Sequence, residues 1–251
     1  MINSFLLAFS MYSRIPVPKA DWSKEKMKYV MCFFPLIGLV VGGLAYGFSW
    51  FCRSFGLAGS FCCAGLTLIP LLVTGGIHMD GFLDTSDALS SHQNREKKLE
   101  ILKDSHTGAF AIISGGMYLM ASFGMWSGIS GRAMGVMALS FVFSRGLSGL
   151  SVVTFRNARG DGLLATFSTG AEKKITRVAL VVYLLVSGGG MVFLFPVAGT
   201  WAVVAGFLTF LYYRYKSYKE FGGITGDLAG WFLELCELVM GIAVVFASVL
   251  W

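Results

Sequence analysis

The apolar positions of this chain fall in long runs rather than alternating with polar ones. Residues 31–52, 55–77, 109–129, 133–155, 177–196, 198–215 and 230–251 carry few charges or none. As helix, each is long enough to cross about 30 Å of hydrocarbon. Tracts that are apolar on every face exclude a transmembrane β-barrel, whose strands alternate lipid-facing and lumen-facing residues. The pattern predicts an all-α fold: a polytopic transmembrane helical bundle of about seven spans, forming one integral membrane domain over residues 1–251.

The start of the chain follows a different pattern. Ile2, Phe5, Leu6 and Phe9 recur at i, i+3, i+4 and i+7, the spacing of a short interfacial helix lying in the membrane surface and stopped by Pro16 and Pro18. The segment has neither a basic beginning nor a small-residue cleavage site, so it does not read as a removable leader.

Composition agrees with the pattern. With 55% hydrophobic residues, 14% charged residues and a mean hydropathy of +0.70, the chain has too little polar surface for a water-soluble domain. Charge then orients the bundle. All but three of the 20 Lys and Arg precede the first span or fall in the segments near 78–108, 156–177 and 214–229. Arg53 and Arg132 lie on the opposite side, and Arg145 lies inside a span. Segments retained in the cytoplasm keep Lys and Arg, which places the amino terminus inside and the carboxyl end outside. The acids share the cytoplasmic side or lie within the last span, and the loops on the other side are short, so the chemistry is expected to face the cytoplasm. The net charge of +6 follows from this topology and implies no nucleic-acid partner. The five cysteines lie in or beside apolar tracts with no C-x-x-C pair, and read as packing residues rather than zinc ligands.

Candidate chemistry concentrates in residues 75–110. Asp80, Asp84 and Asp87 are spaced D-x-x-x-D-x-x-D. On a helix Asp84 lies about 40° to one side of Asp80 and Asp87 about 20° to the other, so the three share a face. Like charges so placed repel, and a hard divalent cation removes the conflict. Mg2+ prefers carboxylate oxygens and commonly bridges them to substrate phosphates. The plainer reading is an acidic helix start complementing the helix dipole; the triad's position directly after a span favours the metal.

A second acid group comprises Asp227, Glu234 and Glu237, which line a common side of the last span. A carboxylate inside a membrane is costly unless it faces a polar cavity, which makes these functional candidates, the alternative being an internal pair with Arg145. Lys103-Asp104-Ser105-His106-Thr107-Gly108-Ala109 introduces the third span and offers a helix start beside a lysine, a natural phosphate site. Arg156 and Arg159 with the turn at 160–162 form another anion candidate, although positive-inside topology explains the arginines equally well. His78 and His106 read as ligands, acid–base groups or ordinary hydrogen-bonding residues.

Gly75-Gly76-Ile77-His78-Met79-Asp80-Gly81-Phe82-Leu83-Asp84-Thr85-Ser86-Asp87, followed by Lys103-Asp104-Ser105 and Gly108-Ala109-Phe110, closely resembles the signature of the cobalamin synthase family, also called adenosylcobinamide-GDP ribazoletransferase. The resemblance extends to Arg14-Ile15-Pro16-Val17-Pro18, to Phe34-Pro35-Leu36-Ile37-Gly38, and to Gly222-Gly223-Ile224-Thr225-Gly226-Asp227 with Glu234, and so covers nearly the whole chain. It implies a membrane enzyme that joins adenosylcobinamide-GDP to α-ribazole or its 5′-phosphate, giving adenosylcobalamin or its 5′-phosphate and GMP, with Mg2+ as cofactor. Under that resemblance Asp80, Asp84, Asp87, Asp227 and Glu234 are expected to hold the metal, and Asp84, Asp104 and Asp227 to act in catalysis. Lys103, His78, Ser105, Arg156 and Arg159 are expected to bind substrate. The lipid bilayer is the other expected partner, and self-association as a homo-oligomer stays open.

Two alternatives remain. A CDP-alcohol phosphotransferase has D-G-x-x-A-R, whereas Asp80-Gly81 here continues without the Ala-Arg pair. An ion-coupled transporter would use Glu234 and Glu237, but the acids gather at one face and no repeated pair of interrupted spans is evident.

Overall fold

The computed structural model describes residues 1–18, 21–23, 27–104, 106–159 and 172–249. Among them the chain forms helices α1 (Ile2–Tyr12), α2 (Val30–Ser54), α3 (Gly59–Thr74), α4 (Ile77–Ser90), α5 (Arg95–Ile101), α6 (Ala109–Ser127), α7 (Arg132–Thr154), α8 (Lys173–Leu194) and α9 (Pro196–Lys216). A π-helical turn (Ser217–Phe221) and α10 (Gly226–Val249) complete it. Six helices, α2 and α6 to α10, are long and apolar enough to cross a membrane, and α3 with α4 makes a seventh, broken candidate. The fold is a polytopic all-α membrane protein.

The break corrects the straight span expected over 55–77. Gly75 and Gly76 take φ of +66° and +80°, and the chain turns by 96° between α3 and α4. A side chain in that left-handed region costs roughly 1–2 kcal/mol per residue, which is why two glycines stand there. The turn carries α4 and its acids away from the axis of α3.

The centre of the bundle is α7, which packs against α2, α8 and α10. Within its most apolar stretch 83% of residues are buried, against 28% for α8 and 33% for α6, which lie at the periphery. Because lipid is as apolar as leucine, helices associate here through close packing rather than through hydrophobic burial. Gly38 and Gly42 of α2 supply it: a Cβ on either would stand 2.1 Å from a backbone oxygen of α7, Phe141 and Ala138 respectively. Outward-facing Leu72, Met120 and Phe193 present the apolar surface that lipid covers.

The amino-terminal helix is present, as the periodicity predicts, and packs on α2. Ser4, Leu7, Ala8 and Phe9 are buried, whereas Ile2 is 78% exposed and Phe5 and Leu6 are half-buried. Leu7 and Ala8 cluster with Val30 and Met31 of α2, and Ile2 is left facing outward.

The two ends of the bundle differ in charge. At one end the α2–α3 and α6–α7 turns share a cavity lined by Arg53, Gly56, Trp126 and Ser130, and the far end of α10 reaches it, with Val245 against Gly128. At the other end α4, α5, residues 156–159, the π-helical turn and the start of α10 come together. The basic residues Lys19, Lys24 and Lys26 lie outside the described residues. The cysteines are free thiols, buried except for half-buried Cys62, in keeping with a packing role.

Candidate active site

Two glycines bring the acids of α4 and α10 together. A Cβ on Gly81 would lie 2.6 Å from the Asp227 carbonyl oxygen, and one on Gly230 would lie 2.9 Å from that of His78. The backbones therefore touch at both points, setting Asp80 and Asp84 beside Asp227. At the start of α10, the Leu228 N–H donates to Thr225 Oγ1 (3.2 Å) and the Thr225 hydroxyl donates to Asp227 Oδ2 (3.3 Å). Asp80, Asp87 and Asp227 all lie within electrostatic reach of Asp84, and Asp80 within reach of Asp227. Asp80 is exposed; Asp84 and Asp227 are half-buried.

Asp87 has a task of its own. Its Oδ2 accepts the Gly108 N–H (2.6 Å) and its Oδ1 the Ala111 N–H (2.9 Å), so the carboxylate caps the positive end of α6. Gly108 is glycine because a Cβ would meet Asp87 Oδ2 at 2.3 Å. Asp104 sits exposed in the α5–α6 connection, where the His106 N–H donates to its Oδ1 (3.0 Å) and His106 Nδ1 lies 2.7 Å from the same oxygen. These two contacts, the backbone one foremost, hold the Asp104 carboxyl below its usual range. Lys103 is exposed in the same turn, and Ser105 lies outside the described residues.

The arginines approach from the 156–159 segment. Arg159 Nη1 stands 3.6 Å from Asp227 Oδ2, and its Nη2 donates to the Leu99 carbonyl (3.0 Å). Arg156 donates from Nε to the Gly222 carbonyl (2.8 Å) and from Nη2 to the same oxygen. Two backbone bonds, Ile224 N–H to Arg156 O (2.8 Å) and Ala158 N–H to Ile224 O (2.9 Å), stitch this segment to residues 222–224. Arg159 thus faces the acids, while Arg156 is engaged in holding the loop. The turn at 160–162 lies outside the described residues.

The remaining candidates lie deeper. His78 is 5% exposed, with its ring 6.3 Å from that of Tyr12 and 5.8 Å from that of Phe34, and its Nε2 has no hydrogen-bond partner. Glu237 accepts from Arg145 Nη1 (2.6 Å) and from the Ser144 hydroxyl (2.8 Å), both inside the bundle. Here the internal ion pair, weighed as the alternative for the buried glutamates, is what the fold makes. Glu234, 4% exposed, keeps an unpartnered Oε2. A cavity of about 20 Å³ beside Tyr118, Ser122 and Glu237 has room for a water molecule.

Among the described residues, no three His, Cys, Asp or Glu side chains are placed to hold a metal ion together. Mg2+ seldom needs three, being held by one or two carboxylates while substrate phosphates and waters fill the other positions. Asp84, within electrostatic reach of Asp80 and Asp227, offers with either of them the one or two carboxylates that this habit needs. Sequence reasoning missed Lys98, buried at 7% exposure with its Nζ 2.6 Å from Glu220 Oε2, and Arg95, whose guanidinium covers Gly222. No local spacing signals contacts between residues so far apart in the chain.

The family model described as cobalamin-5-phosphate synthase matches residues 4–245. A protein of Lachnoclostridium phytofermentans named adenosylcobinamide-GDP ribazoletransferase is 46% identical over 98% of this chain and 95% of its own length. Proteins of the same name from Clostridium perfringens, 33% identical over 94% of this chain and 96% of theirs, and from Carboxydothermus hydrogenoformans, 32% identical over 99% and 98%, match as well. No solved structure matches significantly. A match running through α1, the glycine bend, the α4 acids and the α10 loop alike shows that the chain belongs to the cobalamin-5-phosphate synthase family.

Proposed function

We propose that this chain is a Mg2+-dependent adenosylcobinamide-GDP ribazoletransferase. It joins adenosylcobinamide-GDP to α-ribazole or its 5′-phosphate and releases GMP, at the cytoplasmic face of a bacterial inner membrane. The observation that carries the reading is the contact of α4 with α10, which sets Asp80 and Asp84 beside Asp227 next to Arg159. In this reaction a ribose hydroxyl displaces GMP at the phosphorus attached to cobinamide, and negative charge develops on the phosphoryl oxygens. Mg2+, when bound, supplies the Lewis-acid neutralisation of that charge.

The protein's own residues do the rest. Asp80, Asp84 and Asp227 are the open carboxylate group that holds the metal, with Asp87 ordering the start of α6 beside them and Glu234 lying deeper. Arg159 and Lys103 offer cationic donors to the diphosphate, and preorganised donors of this kind stabilise charge without reorganising during the step. Asp227 of the group, or Asp104 from the α5–α6 connection, takes the proton of the attacking hydroxyl. Ser105 remains in the proposed substrate-binding set, whereas Arg156, engaged with the Gly222 carbonyl, supports the loop and His78 lies buried behind the acids. The positive-inside distribution supports the orientation.

The test uses purified protein with adenosylcobinamide-GDP, α-ribazole and Mg2+, following cobalamin and GMP together. Equal yields of both, lost on chelation and restored by Mg2+, are expected. Turnover that persists with the metal removed would overturn the metal reading. Release of CMP from a CDP-alcohol, with no GMP formed, would replace the reaction.

A further inference from the structure

Helix α5 has seven residues and contributes none of the proposed metal ligands, yet it grips the loop that carries Asp227 from two directions. The first grip is an ion pair. Lys98 is 7% exposed, an unusual place for a lysine, and its Nζ reaches Glu220 Oε2 at 2.6 Å, while Lys216 Nζ stands 3.9 Å from the other oxygen. Glu220 lies in the π-helical turn, a local irregularity often found at functional sites. That turn leads directly into Gly222, which takes φ of +76° beneath the Arg95 guanidinium, where a Cβ would lie 2.0 Å from Cζ.

The second grip runs through Arg159. The Leu99 carbonyl accepts its Nη2 at 3.0 Å while its Nη1 faces Asp227 at 3.6 Å. One route thus passes from α5 through Glu220 and along the loop to Asp227, and the other passes through a single guanidinium to the same carboxylate. A pair serving only to fasten a surface helix would not need both routes to end at one acid.

We propose that α5 is a positioning clamp, in which the Lys98–Glu220 pair and the Leu99–Arg159 link set where Asp227 stands relative to Asp80 and Asp84. Lys98 and Glu220 are positioning residues: they reach the site only through the loop. The clamp rests on the reading of these aspartates as a divalent-cation group.

The experiment uses the full chain in detergent, with and without adenosylcobinamide-GDP, and Mn2+ as the spectroscopic probe of the Mg2+ site. Lys98→Met and the isosteric Glu220→Gln are each expected to weaken Mn2+ binding, followed by electron paramagnetic resonance, about tenfold or more. Reversing the pair, Lys98→Glu with Glu220→Lys, is expected to restore both the affinity and the amide-exchange protection of residues 222–228. Single variants that bind Mn2+ as the parent does, or a reversed pair that merely sums the two losses, would overturn the clamp. Amide exchange needs no metal and separates the two ideas. A parent chain that binds no Mn2+ even with adenosylcobinamide-GDP present removes the metal reading, and unchanged exchange in the single variants then removes the clamp as well; faster exchange, reversed in the swapped pair, retains it.

Discussion

At the scale of single residues, carboxylates of one type have separate tasks because their neighbours differ. Asp84 sits among Asp80, Asp87 and Asp227, a concentration of charge that suits a cation. Asp84→Asn is therefore expected to lower GMP release by more than about a hundredfold while leaving folded protein in the membrane; near-normal turnover by the purified variant would count against the assignment. Glu237 illustrates the opposite case. Its partners Arg145 and Ser144 are internal, and removing one member of a buried pair leaves a charge without compensation. Glu237→Ala should cost roughly 3–5 kcal/mol of stability, whereas replacing both members, Glu237→Leu with Arg145→Met, should recover much of it. Thermal unfolding in detergent compares the two. Asp80, Asp84 and Asp227 were legible in the sequence as acids beside apolar tracts. The Glu237 pair was legible only as an alternative, since helical phase does not say which neighbour a side chain meets.

At the scale of elements, glycine determines where helices bend and where they touch. Gly76 takes φ of +80° with open space around its α-carbon, so Gly76→Ala isolates the backbone cost. A loss of about 1–2 kcal/mol is expected in the same unfolding assay. Gly81→Ala tests contact instead, because its Cβ would press on the Asp227 backbone. It should lower activity by displacing the start of α10, whereas Gly43→Ala, with nothing within 4 Å of the added carbon, should leave activity intact. The 55–77 tract shows why the bend was not foreseen: hydropathy runs unbroken to Ile77, and the change of direction depends on two dihedral angles. On α1 the apolar spacing was read correctly as helix, while the residues that pack on Val30 and Met31 of α2, Leu7 and Ala8, lie outside that spacing.

At the scale of the whole molecule, the bundle separates a charged end from a bland one. If the site end faces the cytoplasm, Ser130→Cys in a cysteine-free background should react with a membrane-impermeant maleimide in intact cells. Gln93→Cys should react only after the membrane is opened. The reverse pattern would invert the proposed topology.

The helical class, the approximate number of spans and the candidate acids were determined by the sequence itself, because hydrocarbon thickness sets helix length and burying charge in lipid is costly. Only the tertiary structure decided that Asp80 and Asp84 meet Asp227, that Asp87 turns to the start of α6, and that Lys98 closes on Glu220. Those outcomes follow from close approach between segments far apart in the chain, where small residues and left-handed turns set the geometry and no local periodicity records the partner.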